Sequence, residues 1–140
     1  MSIEIPEQWL GKAEDDYISA TVLMDKVNPP QIEIACYHCQ QCAEKALKAF
    51  CAYNGDEIQK THNLIVLCQQ CMTLDSEFSE ILSECSRITP YSVQTRYPNC
   101  IDILEEEAKD AIKMAKRVFD FVDKKINKTN ENVSGNEEEG

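Results

Sequence analysis

The sequence predicts an all-α fold: an up-and-down bundle of four to five helices with a long ordered loop before the last one. Three observations carry this expectation. Only four Gly and five Pro occur in 140 residues, a composition that leans towards helix. Apolar residues recur at helical spacing through several long segments. The clearest of these closes the ordered chain, where Leu104, Ala108, Ala111/Ile112, Ala115, Val118/Phe119, Val122 and Ile126 form a stripe over roughly six turns.

Each element follows in order. A first helix is expected from about Pro6 to Val27, because proline suits a first helical turn and Trp9, Ala13, Tyr17, Ala20 and Leu23/Met24 share one side. Asn28-Pro29-Pro30 ends it, since proline cannot continue the hydrogen-bond ladder. The second helix turns Ile34, Ala35, Cys39, Cys42, Ala46, Leu47 and Phe50 inward and stops at Asn54-Gly55, a C-terminal cap. Thr61 is expected to cap a third helix that buries Leu64, Ile65, Leu67 and Cys68. Asp75 or Ser76 caps a short fourth one holding Phe78, Ile81, Leu82 and Cys85. From Ser86 to Pro98 the pattern fails, and Thr89-Pro90 and Tyr97-Pro98 bias the backbone to extended or turn forms. In the last helix Glu105-Glu106-Glu107 stand near the start and Lys124-Lys125 at the end, the signs the helix dipole favours. One domain over residues 1–126 is expected, followed by an acidic, disordered tail over 127–140.

The net charge of -11 argues against broad affinity for nucleic acid or anionic membranes, though a small local basic site is compatible with it. No stretch approaches the roughly 18 continuous apolar residues of a membrane span. The acidic N-terminus lacks the apolar core of a secretory signal, so a cytoplasmic protein is expected. Eight cysteines stand out. Cys36/Cys39 with Cys68/Cys71 have the spacing of a four-thiolate zinc site. Their flanks keep a helical pattern without the Gly or Pro of a zinc knuckle, however. The favoured reading is reduced core cysteines, with no metal and no cofactor.

The most unusual stretch is Ala35 to Ala49, where His38, Gln40, Gln41, Glu44, Lys45 and Lys48 alternate with small Cys and Ala. Small residues let another helix approach closely and leave the polar groups beside the contact. Glu44 and Lys48 form a favourable i,i+4 pair. Phosphate-cradling glycine loops, His-Glu-x-x-His and Gly-x-Ser-x-Gly are all absent. The candidates for chemistry are therefore few: His38, His62, Lys45, Lys60 and Arg96, with Tyr91 and Tyr97. Arg96 in a Pro-fixed loop beside tyrosines offers a planar fork for phosphate and an aromatic surface for a base.

Three segments, in order, carry a family resemblance. Ala35-Cys36-Tyr37-His38-Cys39-Gln40-Gln41-Cys42-Ala43-Glu44-Lys45-Ala46-Leu47-Lys48-Ala49 resembles the second-helix motif of HEPN (higher eukaryotes and prokaryotes nucleotide-binding) domains. Lys60-Thr61-His62-Asn63-Leu64 resembles their Lys-Thr-His-Asp-Leu segment. Tyr91 to Asn99 resembles their Thr-Arg-Tyr-Pro loop before the final helix. The resemblance implies a helical bundle, often a homodimer and often paired with a small nucleotidyltransferase in toxin-antitoxin-type systems. Many members are metal-independent ribonucleases that use Arg followed four to six residues later by His. This chain has no His after His62, so that motif is missing. The expectation is a protein that binds nucleotide or RNA phosphate through Arg96, Tyr97, His62, Lys60 and Lys45, with a small nucleotidyltransferase as partner. Two alternatives stand beside it: a ribonuclease using His62 or His38 with Arg96, and a purely structural dimerisation module.

Overall fold

In a computed structural model, the described residues are 5–94 and 102–128. They form α1 (Pro6–Asp25), α2 (Ile32–Tyr53), α3 (Leu64–Leu74), a 3₁₀ segment (Ser76–Ile81), α4 (Leu82–Ile88), the single turn α5 (Tyr91–Gln94) and α6 (Glu105–Asp123), which runs into a π-helical turn, Lys124–Lys128. The fold is the expected all-α bundle. Arg96, Tyr97 and the rest of residues 95–101 lie outside the described residues, as do residues 129–140.

Helix α2 is the hub, packing against α1, α3, α5 and α6. It can do so because its contact positions are small: Cys36, Cys39, Cys42, Ala43, Ala46 and Ala49 are all fully buried. Small side chains shorten the distance between helix axes and so raise the number of neighbours one helix can touch. Larger residues fill the far end, where Phe78 sits between Phe50 (ring centroids 4.4 Å) and Phe121 (4.9 Å, edge to face). The described cysteines are free and buried. Burial pushes the thiols of Cys36 and Cys42 up to about 12, so they behave as small hydrophobes. Cys71 Sγ lies 4.0 Å from Cys51 Sγ and donates to the Leu47 carbonyl, while Cys68 Sγ donates to the Phe78 carbonyl. These thiols are thus partnered inside the core.

The ends of the helices follow local chemistry. Gly55, at φ +67°, terminates α2: its N–H donates to Ala52 O and that of Asp56 to Cys51 O, a Schellman pair that needs a left-handed residue. The cap of α3 is Asn63, which accepts from the N–H of Ile65 and Val66, and not the expected Thr61. Thr61 instead accepts from Asn63 N–H one step earlier. Asp75 caps the 3₁₀ segment as expected, accepting from Glu77 N–H. The irregular stretch is shorter than its sequence suggests, because α4 continues through Ile88 and Pro90 is followed at once by α5. Thr89 Oγ1 bridges there, donating to Cys85 O and accepting from Leu64 N–H. Ile34 and Leu104, expected inward, are exposed (49% and 65%). Ile34 lies in the first turn of α2, and Leu104 precedes the first residue of α6.

Phe78→Ala removes the ring that joins α2 to α6 and is expected to cost about 3–5 kcal/mol. Urea denaturation should show a lower midpoint with an unchanged slope. Gly55→Ala, which strains only the cap, is expected to cost roughly 1 kcal/mol by the same measurement.

Candidate functional site

The polar residues of α2 lie along two adjacent rows, and each row closes on a buried carboxylate. Asp16 comes from α1, at a position on that helix's inner stripe between Ala13 and Ala20, and it is only 7% exposed. It accepts from Nδ1 of His38 at 2.8 Å and from Nζ of Lys45 at 2.6 Å. Glu44, in α2 and 4% exposed, accepts from Nδ1 of His62 at 2.9 Å, Nε2 of Gln40 at 3.1 Å and Nζ of Lys48 at 3.0 Å. The two rows are joined, since Gln41 Nε2 donates to Gln40 Oε1 at 2.7 Å.

The electrostatics are internally balanced. Burial alone would raise the Glu44 carboxyl, but hydrogen bonds from His62, Gln40 and Lys48 outweigh it and hold the group below its ordinary value. An ionised carboxylate can only accept, so His62 Nδ1 carries the proton it donates. Its Nε2 therefore points away from the anchor on a side chain that is 62% exposed. His38 has the same arrangement on Asp16 with a less exposed ring, packed edge-on against Tyr37. Lys48 is nearly buried, with its ammonium 5.7 Å from the centre of the Trp9 ring, where charge and π-face attract.

His62 belongs to no helix, so its position depends on how the connection between α2 and α3 is fixed. Gln40 Nε2 donates to the backbone carbonyl of His62 at 2.9 Å. Gln70, from α3, donates to Asp56 Oδ2 at 2.9 Å and to Glu57 O at 2.7 Å. The connection is thus held at both ends by glutamine side chains, and the histidine is presented on a fixed backbone.

The structure brings together His38 with Lys45, and His62 with Glu44 and Lys48. Lys60 is not part of either network. Its side chain lines a separate groove of about 840 Å³ with Asp56, Glu57, Gln69 and Gln70. Tyr91 is buried, and its phenol is pushed up to about 12, chiefly by burial, so its hydroxyl stays protonated at neutral pH. Arg96 and Tyr97 fall outside the described residues. Two functional positions were not singled out from the sequence: Asp16, whose signal is an acid on an apolar stripe, and Gln40, a fully buried amide. Among the described residues no group of three or more His, Cys, Asp or Glu is arranged to hold a metal ion. No helix there is long and apolar enough to cross a membrane.

Residues 6–126, nearly the whole described chain, match the HEPN domain. The chain belongs to the HEPN family. A similar solved structure is that of ST0689, described as an archaeal HEPN homologue, at 26% identity. The likeness covers 88% of this chain and 98% of that one, with a TM-score of 0.71. The fold is also shared with TT1696 from Thermus thermophilus, at 23% identity, 86% and 97% coverage and a TM-score of 0.74. None of the curated proteins matches the chain.

The buried carboxylate sets an acid limit on this HEPN bundle. Glu44 has a lowered pKa when folded, so its contribution to stability is complete above the ordinary carboxylate range and is lost as pH falls through the lowered value. Glu44→Gln is expected to cost about 1–3 kcal/mol at pH 7. It should cost less at pH 4 and below, as the wild-type carboxylate takes up its proton. Chemical denaturation at both pH values reads this directly, and an equal loss at both would contradict it.

Proposed function

We propose that this HEPN protein binds nucleotide or RNA phosphate on the α2 face and acts with a small nucleotidyltransferase partner in a toxin-antitoxin-type system. The observation that supports the reading best is the His62–Glu44–Lys48 cluster. A carboxylate behind Nδ1 favours the imidazolium, and the outward Nε2–H then donates to an anionic oxygen. Because Glu44 is already saturated by three donors, it does not repel the incoming anion as a bare carboxylate would. The second cluster repeats the arrangement with His38, Asp16 and Lys45. In this reading Arg96 adds a bidentate grip and Tyr97 a stacking surface, with Lys60 contributing from the neighbouring groove. The partner rests on the family resemblance alone, as does the homodimer.

A second reading, metal-independent ribonuclease, draws on one specific observation. A histidine oriented through Nδ1 by a buried carboxylate has the geometry of a general acid or base. His62 or His38 would move the proton, and Arg96 would stabilise charge on the phosphorus oxygens. The missing Arg-to-His spacing counts against it.

One experiment separates the two. Purified protein is titrated with adenine and guanine nucleotides and incubated with labelled RNA, without metal and with magnesium, beside His62→Ala and Arg96→Ala. Binding is expected in the wild type and about tenfold weaker binding in each variant, with RNA intact throughout. Cleavage that disappears in either variant would establish the nuclease instead. Neither binding nor cleavage would leave an assembly module. Co-expression with a small nucleotidyltransferase encoded beside this chain, followed by size-exclusion chromatography, tests the partner, and separate elution would reject it.

A further inference from the structure

The chain's positive charge is unevenly placed. Residues 109–128 hold seven of the fourteen Lys and Arg but only three of the twenty-five acids. That stretch therefore carries +4, while the remainder carries -15. At 100° per residue Lys109, Lys113, Lys116, Arg117 and Lys124 fall within one arc of about 100° on α6. The buried stripe of Ala111, Ala115, Val118 and Val122 lies on the opposite side, so the cations face outward. From Lys109 to Lys124 the row is about 22 Å long at 1.5 Å per residue.

The row is also a groove. Lys113, Lys116, Arg117, Lys124 and Phe121 border a cleft of about 490 Å³, with Glu80 and Asp120 at its edges. Two cations are set in position: Arg117 by Glu84 at 2.7 Å and Lys116 by Asp120 at 2.9 Å. Among the described residues no hydrogen bond or ion pair engages the ammonium groups of Lys113 and Lys124. Half-buried aromatic rings accompany them. Phe121 lines the cleft, and Lys116 lies 5.5 Å from the Tyr17 ring centre and 5.9 Å from that of Phe119.

We infer that this face of α6 binds the phosphate backbone of a single-stranded nucleic acid. A linear row of cations tracks a backbone whose charges repeat at regular intervals, and adjacent π-faces accept bases of any sequence. An acidic peptide would use the charges and leave the rings without a role. The surface is distinct from the α2 face, so the inference goes beyond the nucleotide-binding reading and does not depend on it.

The test is fluorescence anisotropy with labelled single-stranded RNA and single-stranded DNA of one mixed sequence, from low to physiological salt. Wild type is compared with Lys113→Glu/Lys124→Glu and with the neutral Lys113→Gln/Lys124→Gln. Both sites are exposed, and matching thermal melts will verify the fold. Roughly tenfold weaker binding is expected for the Glu pair and a smaller loss for the Gln pair. The salt slope should become shallower by about 0.7 for each phosphate no longer neutralised. Equal binding of DNA identifies the phosphates as the ligand, and tighter binding of RNA adds its 2′-hydroxyls; both uphold the inference. No binding by wild type, or binding unchanged in the Glu pair, overturns it. Competition by poly-glutamate as effective as that by unlabelled RNA also overturns it, in favour of an acidic protein partner. Mononucleotide titration of the same variants keeps the two surfaces apart, since His62→Ala and not the Lys pair should alter it.

Discussion

A carboxylate in the most buried helix of the bundle is the constraint around which the rest is organised. Glu44 is flanked on α2 by Ala43, Ala46 and Leu47, all fully buried, and desolvating its charge without compensation would cost several kcal/mol. Compensation comes from three donors with separate origins. Lys48 is one turn further along the same helix, Gln40 one turn earlier, and His62 lies beyond the helix's end. Of the three, only His62 brings in a different part of the backbone. The need to satisfy Glu44 thereby fixes the path of the connection into α3, and Gln40 secures it again through the His62 carbonyl. Stability and presentation of the exposed histidine are the same set of bonds seen from two sides.

The small residues of α2 make this possible. Had Cys39, Cys42, Ala43 and Ala46 been leucines, neighbouring helices would stand further away and the polar rows would lie in a wider, wetter seam. Close approach instead brings α1 near enough for Asp16 to reach two residues of α2, seven positions apart in sequence and on one face. Cysteine serves here as a small apolar filler. The Cys36 and Cys42 thiols are pushed up by burial, and Cys71 and Cys68 give their protons to main-chain carbonyls of Leu47 and Phe78. A zinc site joining Cys36/Cys39 to Cys68/Cys71 would have to break those contacts.

Most of the fold was legible because it depends on local pattern. Pro6, Asn28-Pro29-Pro30, Asn54-Gly55 and Asp75 mark boundaries by backbone chemistry, and the α6 stripe repeats too regularly to be read otherwise. Thr61 and Asn63 were harder to rank, because both can accept from a first-turn N–H and only the tertiary path decides which one does. The stretch after Ser86 read as irregular since Thr89 precedes a proline. Its hydroxyl bonds to Cys85 and Leu64 hold it in helical geometry despite that bias. The candidate site was legible as residue types but not as pairs. His38 and Asp16 are 22 residues apart, and His62 and Glu44 are 18 apart; no sequence periodicity links positions on different elements. Asp16 did carry a signal in retrospect, as a charge on an otherwise apolar stripe.

Charge placement gives these separate features a common logic. A body carrying -15 outside residues 109–128 repels polyanions at long range. An anion can settle only where local donors outweigh that field. At α2 the acids are consumed by internal donors, which leaves His62 Nε2 as an outward group on a neutralised patch. Along α6 the solution is different: acids are scarce, and the cations are gathered on one side of a single helix. Screening acts on the two contributions unequally, because the Debye length at physiological salt is about 8 Å. Repulsion from distant acids is damped, whereas contacts at hydrogen-bond distance are weakened less. Anion binding by such a surface should therefore fall less steeply with salt than binding by a uniformly basic protein making the same contacts.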